Sequence, residues 1–297
     1  MRLRPILCSM KKTLIDLFAG CGGLSLGMEQ AGFEPVFVNE INPTFCETYK
    51  FNRNLSEDKF FIGDITELNK NLADYSEKFI DVDLVCGGPP CQGFSMANRQ
   101  RIIDDPRNNL YKAYLLFLSN VKPKFFLMEN VKGMSKKIDE ILDDFHEYLG
   151  DEYSFSYSLL NAKDYGVPQN RERFFIIGNR IGVDVEQIFE DIKNYTSNKI
   201  FVLKDAIKDL PKLKPNRVKN NSSIENNDCG FVEIDYNYEV TPFYNFINNS
   251  RKITKLYNHK NRYNNDRDIK IFGLLPQGAN SLHPSISDIM PYKSRNH

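Results

Sequence analysis

Over its first 180 residues the chain alternates short apolar, β-branched or aromatic runs with segments of helical period. That pattern belongs to parallel strands joined by crossover helices. It predicts strands over Thr13–Phe18, Pro35–Val38, Phe60–Ile62, Asp83–Cys86, Phe125–Met128 and Phe174–Ile177, and helices over Leu24–Gln30, Pro43–Asn52, Asn109–Val121 and Ile138–Leu149. Asn42 ahead of Pro43 is a helix-start signal, because the Asn side chain can accept from an orphan N–H and proline fits the first turn. The implied fold class is α/β, with a doubly wound, mostly parallel sheet. Helical period persists from about Gly182 to Leu210. Pro211 to Asp228 is then rich in Pro, Asn, Lys and Ser, as in a long loop or linker, and Cys229 to His297 shows no sustained period. The expected division is a sheet domain over residues 1–210 and, over 211–297, a linker followed by an incomplete second region.

With 297 residues, 41% apolar and 26% charged, the chain can bury a substantial core. It has no apolar run of about 18 residues and no secretion signal, so a soluble, intracellular protein is expected. The six cysteines (Cys8, Cys21, Cys46, Cys86, Cys91, Cys229) lack any C-x-x-C spacing, and there are four histidines. Neither a metal site nor a disulfide framework is therefore expected. Net charge is zero, but residues 1–180 carry 22 basic and 25 acidic side chains, whereas residues 241–297 carry 9 basic and 3 acidic. Phosphate contacts should draw on that basic end.

The candidate chemistry lies at the predicted carboxyl ends of strands. Asp16-Leu17-Phe18 runs into Ala19-Gly20-Cys21-Gly22-Gly23, which puts glycines where backbone must approach a ligand. The dinucleotide fingerprint G-x-G-x-x-G fails at Ser25, so a nucleoside cofactor without a pyrophosphate fits better. Glu40 stands where an acid can accept from ribose hydroxyls, and Asp64 where one can accept from an adenine amino group. Gly87-Gly88-Pro89-Pro90-Cys91 presents a thiol after a loop of fixed shape, which marks Cys91 as a nucleophile rather than a core residue. Glu129 follows Phe125-Phe126-Leu127-Met128, so desolvation should raise its pKa. Arg171 and Arg173 lead into the last predicted strand, and alternation should put both on one face for anion or carbonyl recognition.

Asp16–Gly27, Glu40, Gly63–Thr66, the Pro-Pro-Cys-Gln loop, Glu129-Asn130-Val131 and Gln169–Arg173 together resemble the ordered motifs of the cytosine carbon-5 DNA methyltransferases, over roughly the first 180 residues. The resemblance implies a Rossmann-like methyltransferase fold, S-adenosylmethionine as cofactor, double-stranded DNA as partner, no metal, and a place in a bacterial restriction-modification system in the cytoplasm. It implies adenosine contacts at Phe18, Glu40, Asp64, Ile65 and Leu110, with Gly20, Gly22, Gly23, Leu24 and Pro90 also lining the cofactor. Cys91 would attack carbon 6 of a flipped-out cytosine. Glu129 would bond ring nitrogen 3 and the amino group, Arg173 with Arg171 would hold the ring carbonyl, and Asn130 would brace the loop. Gln92, Ser95, Arg99 and Arg101 would belong to a loop closing over the DNA.

Two further family blocks, one supporting the target-recognition region and one containing Gly-Asn-x-Val-x-Pro, do not occur before His297. The expectation is a second polypeptide that supplies them, with a truncated product as the alternative. Other readings are an NAD-dependent oxidoreductase, which leaves Cys91, Glu129 and Arg173 unexplained, a silent subunit inactive without a partner, and a methyltransferase acting on transfer RNA.

Overall fold

The strand Lys12–Leu17 (β1) lies in the interior of a seven-stranded sheet, because Leu14, Ile15 and Leu17 can be fully buried only where helices cover both faces. The computed structural model describes residues 11–90, 110–219, 224–248 and 251–290. Around β1 stand Phe33–Glu40 (β2), Phe60–Ile62 (β3), Leu84–Gly87 (β4), Phe125–Val131 (β5), Ser154–Asn161 (β6) and Glu172–Asn179 (β7), in the order β3-β2-β1-β4-β5-β7-β6. The first five are mutually parallel, and β7 runs antiparallel between β5 and β6. This is the mostly parallel, doubly wound α/β sheet that the apolar pattern predicts.

Helix Gly23–Gln30 (α1) covers one face, where Leu24 and Met28 pack on Leu14, Leu84 and Cys86. Helices Ile65–Lys70 (α3), Leu110–Val121 (α4) and Ile138–Leu149 (α5) supply the larger core on the other face, against Ile15, Leu17, Phe37, Phe126 and Phe174. Helix Pro43–Arg53 (α2) starts as its sequence predicts, with Asn42 accepting from Thr44 N–H at 2.9 Å and Pro43 in the first turn. Val185–Asn194 (α6) is capped by Asp184, which accepts from Glu186 and Gln187 N–H.

Strand β6 departs from the predicted elements, since none is assigned to 154–161 by the apolar pattern. It is an edge strand on which Tyr157 and Leu159 remain exposed while Ser158 is buried. Ten residues separate β6 from β7, too few for a parallel crossover, so the pair is antiparallel.

The chain divides into two compact units, one of 1–166 with 170–198 and one of 167–169 with 199–297. The second contains Leu203–Ile207 (α7), Gly230–Asp235 (β8), Pro242–Asn248 (α8), Lys255–Lys260 (β9) and Asp266–Leu274 (α9). Strands β8 and β9 form an antiparallel ladder and Asn265 caps α9, regular elements in a stretch whose sequence shows no sustained period. These elements are short and mostly solvent-facing, so cross-strand pairing and packing among Tyr236, Tyr238 and Tyr244 hold them rather than an amphipathic period. Among the bases of residues 241–297, Lys255 pairs with Glu233, Lys260 with Glu225 and Arg267 with Asp268, which tempers the positive field expected there. No helix among the described residues is long and apolar enough to cross a membrane.

Candidate active site

The carboxyl ends of β1, β2, β4 and β5 meet at one edge of the sheet, and the antiparallel β7 brings its amino end to the same edge. Ligands bind to α/β sheets at such an edge. At the end of β1 the backbone turns sharply: Phe18 has φ +54°, Gly20 +55° and Gly22 +82°. A left-handed φ is costly for phenylalanine, so Phe18 is held there by its surroundings, half-buried against the main core with Leu110. Open space lies beside Gly20 and Gly23, where an added Cβ would meet nothing within 4 Å.

Glu40, 8% exposed, accepts from Gly20 N–H at 2.8 Å through Oε2 and from Asn42 N–H at 2.9 Å through Oε1. It therefore ties the glycine turn to the start of α2, a structural duty beyond the ribose contact expected of it. Each carboxylate oxygen keeps capacity for another donor. Asp64 caps α3, accepting through Oδ1 from the Thr66 N–H and hydroxyl, both at 2.7 Å. Ile65 is fully packed in the core, so any ligand contact there must use its backbone. Leu24 likewise turns its side chain toward Leu14 and Cys86.

A second cluster occupies the same edge, one strand further along. Gly88 lies against Glu129, where a Cβ would stand 3.3 Å from the carboxylate. Pro89 is buried and Pro90 exposed. Asn130 donates to the Pro89 carbonyl at 3.0 Å and accepts from Val131 N–H at 2.9 Å, fixing the loop that leads to Cys91. Register pairs Val131 with Arg173. The Arg173 guanidinium meets the Glu129 carboxylate at 3.0 Å and also donates to the Glu172 carbonyl at 2.8 Å. Burial raises the Glu129 pKa, as its apolar strand predicts, and the charges of Arg173 and Arg171 pull against that rise. Arg171 is exposed and precedes β7, close enough for its charge to act on Glu129. Thus Glu129, Arg173 and the Pro-Pro loop come together at this edge. Cys91, Gln92, Ser95, Arg99 and Arg101 lie outside the described residues.

Beneath the glycine turn, Asp16, Gly22 and Ser25 of the glycine motif join Cys86, Tyr49 and Arg53 in a polar network. Asp16 is 1% exposed, and the Cys86 thiol donates to its Oδ1 at 3.6 Å. Its Oδ2 has no hydrogen-bond partner among the described residues. Burial lifts its pKa to about 6, against the opposing influence of the Ser25 hydroxyl, Cys86, Arg53 and Tyr49. Such a cradle, with a left-handed glycine turn, free space above it and an acid at the next strand end, fits a nucleoside cofactor. Among the described residues no three His, Cys, Asp or Glu side chains cluster to hold a metal.

The model of the C-5 cytosine-specific DNA methylase family matches residues 12–289. Type II methyltransferase M.AquIA of Picosynechococcus is 41% identical over 185 residues, covering 58% of this chain and 74% of that protein. M.FnuDI of Fusobacterium nucleatum is 40% identical over 219 residues, and M.DdeI of Desulfomicrobium norvegicum is 36% identical over 281. These matches cover 73% and 92% of this chain but only 60% and 63% of the two relatives. A crystal structure described as that of a DNA modification methyltransferase encoded within an E. coli prophage superposes with TM-score 0.63 at 29% identity, covering 79% of this chain and 63% of that one. The S. pombe Dnmt2 methyltransferase shares the fold, at TM-score 0.51 and 20% identity, with 66% and 59% covered.

Proposed function

The chain belongs to the C-5 cytosine-specific DNA methylase family, and on that premise we propose that it transfers a methyl group to carbon 5 of a cytosine in double-stranded DNA as part of a restriction-modification system. The observation that carries the proposal is the Glu129–Arg173 pair, 3.0 Å apart beside the Asn130-anchored Pro89-Pro90 loop. An acid of raised pKa next to a fixed guanidinium is suited to the edge of a pyrimidine, which offers a ring nitrogen, an amino group and a carbonyl side by side.

When bound, S-adenosylmethionine supplies an electrophilic methyl group. The turn at Gly20, Gly22 and Gly23, with Phe18, Leu24, Glu40, Asp64, Ile65, Pro90 and Leu110, would hold it; Glu40 would accept from the ribose and Phe18 would lie against the adenine. Cys91, presented by the Pro-Pro loop, adds as thiolate to carbon 6 of cytosine, and the ring electrons thereby move to carbon 5. Glu129 donates to ring nitrogen 3 and accepts from the amino group, so charge developing on the ring is neutralised as it forms. Arg173, with Arg171 beside it, holds the ring carbonyl and orients Glu129. After methyl transfer the carbon-5 proton leaves to a base, the bond from Cys91 to carbon 6 breaks, and the thiolate is restored.

A cytosine stacked in a duplex is out of reach of Cys91, so the base must leave the helix. Gln92, Ser95, Arg99 and Arg101 would close around it. The second unit would contribute to target recognition. Replacing Cys91 by Ala should abolish transfer while S-adenosylhomocysteine still binds to the chain within about twofold of the unaltered affinity, a change under 0.5 kcal/mol. Turnover by the variant, or preference for NAD over S-adenosylhomocysteine in a titration, would overturn the proposal.

A further inference from the structure

Arg53, the last residue of α2, has a side chain only 7% exposed, which makes three contacts at once. Its Nε pairs with Glu29 Oε1 at 2.6 Å, its guanidinium lies over the Tyr49 ring at 4.1 Å from the centroid, and Nη2 donates to the Gly22 carbonyl. That carbonyl also accepts from the Ser25 hydroxyl at 3.2 Å and from Leu26 N–H at 3.1 Å, and Tyr49 OH donates to Ser25 Oγ at 2.8 Å. Gly22 is thus held from below by three donors. The fit is close: a Cβ at Gly22 would stand 2.5 Å from the Tyr49 ring and 2.8 Å from Arg53. In a planar trans peptide the carbonyl of one residue and the N–H of the next point in opposite directions. Holding the Gly22 oxygen toward these donors therefore aims the Gly23 N–H away from them, at a residue whose added Cβ would meet nothing within 4 Å.

Resting on the reading of this turn as the cofactor's cradle, we propose that Arg53, seated on Tyr49 and paired with Glu29, is a positioning residue that orients the Gly22–Gly23 peptide for the amino-acid portion of S-adenosylmethionine. Arg53 touches no ligand itself; it acts through the peptide. Lysine cannot replace it, because a point-charge ammonium cannot stack on Tyr49 and fork between Glu29 and the carbonyl.

The test compares the unaltered protein with Arg53→Lys, Arg53→Met and the double variant Glu29→Gln/Arg53→Met, which leaves no unpaired carboxylate if the single Met change fails to fold. S-adenosylhomocysteine affinity is measured by calorimetry, and amide exchange of residues 22–25 is followed without ligand. The expected result is a loss of about tenfold or more in affinity, roughly 1.4 kcal/mol, with faster exchange confined to the turn and a melting temperature close to the parent's. In methyl-transfer assays KM for S-adenosylmethionine should rise with kcat nearly unchanged. Unchanged affinity and exchange in a folded Arg53 variant would overturn the proposal. Failure of the unaltered protein to bind S-adenosylhomocysteine would instead count against the proposed function, and the ligand-free exchange would still decide whether Arg53 orders the turn.

Discussion

Glu129, half-buried, and Asp16, fully buried, both have raised pKa values, yet they differ in what surrounds them. Glu129 has a guanidinium at 3.0 Å, so removing that charge should drive its pKa higher still. Arg173→Met is expected to shift the Glu129 titration upward, read by carboxyl isotope-labelled NMR, and Glu129→Gln to lower kcat by about 100-fold or more. A downward shift in the Arg173 variant would contradict the assigned pairing. Asp16 has no such partner, and its burial carries a stability cost. Its folded pKa of about 6 exceeds the ordinary 3.8, so the native state holds the proton more tightly. Stability should therefore fall as pH rises from about 4 to 6, by on the order of 3 kcal/mol, and stay reduced above that window. Asp16→Asn should remove this slope and melt higher at pH 7, which thermal denaturation across pH 4–8 would show. At this scale the sequence is informative about Glu129, because its four apolar predecessors announce desolvation. It is silent about Arg53, whose partners Glu29 and Gly22 lie 24 and 31 positions away and share no motif with it.

Among the elements, the parallel strands are legible because each is built on a short apolar or aromatic run, the inner ones being covered on both faces. Strand β6 obeys a different rule. Ser154, Ser156 and Ser158 alternate with Phe155, Tyr157 and Leu159, a period-2 signal that could have found it, but at this edge Ser158 is the residue that is buried. The direction of β7 is not encoded in its own residues; it follows from the short β6–β7 connection. Its insertion between β5 and β6 leaves a tight point at Gly178, where a Cβ would collide with the Phe126 ring and stand 2.8 Å from Phe155 Cβ. Gly178→Ala should cost about 1–3 kcal/mol by overpacking. A denaturant midpoint equal to that of the unaltered protein would show that Phe126 moves freely, contrary to its close packing.

At the scale of the whole molecule, the sheet gathers two sites at one edge: a glycine turn with Glu40 at the ends of β1 and β2, and Glu129, Arg173 and the Pro-Pro loop around β4, β5 and β7. Strand order does this, since β1 and β4 are neighbours and β7 returns antiparallel beside β5. The first unit's fold is accordingly legible from the sequence, whereas the second is held by a short ladder and aromatic contacts that leave no period to read. The central claim is that Cys91 becomes covalently joined to the target base, and trapping tests it most directly. A mixed-sequence duplex carrying 5-fluorocytosine blocks loss of the carbon-5 substituent, so the adduct should accumulate when S-adenosylmethionine and every polypeptide needed for activity are present. Peptide mapping by mass spectrometry should place the nucleotide on Cys91. An adduct on another residue, or none in a mixture that methylates ordinary DNA, would contradict the account.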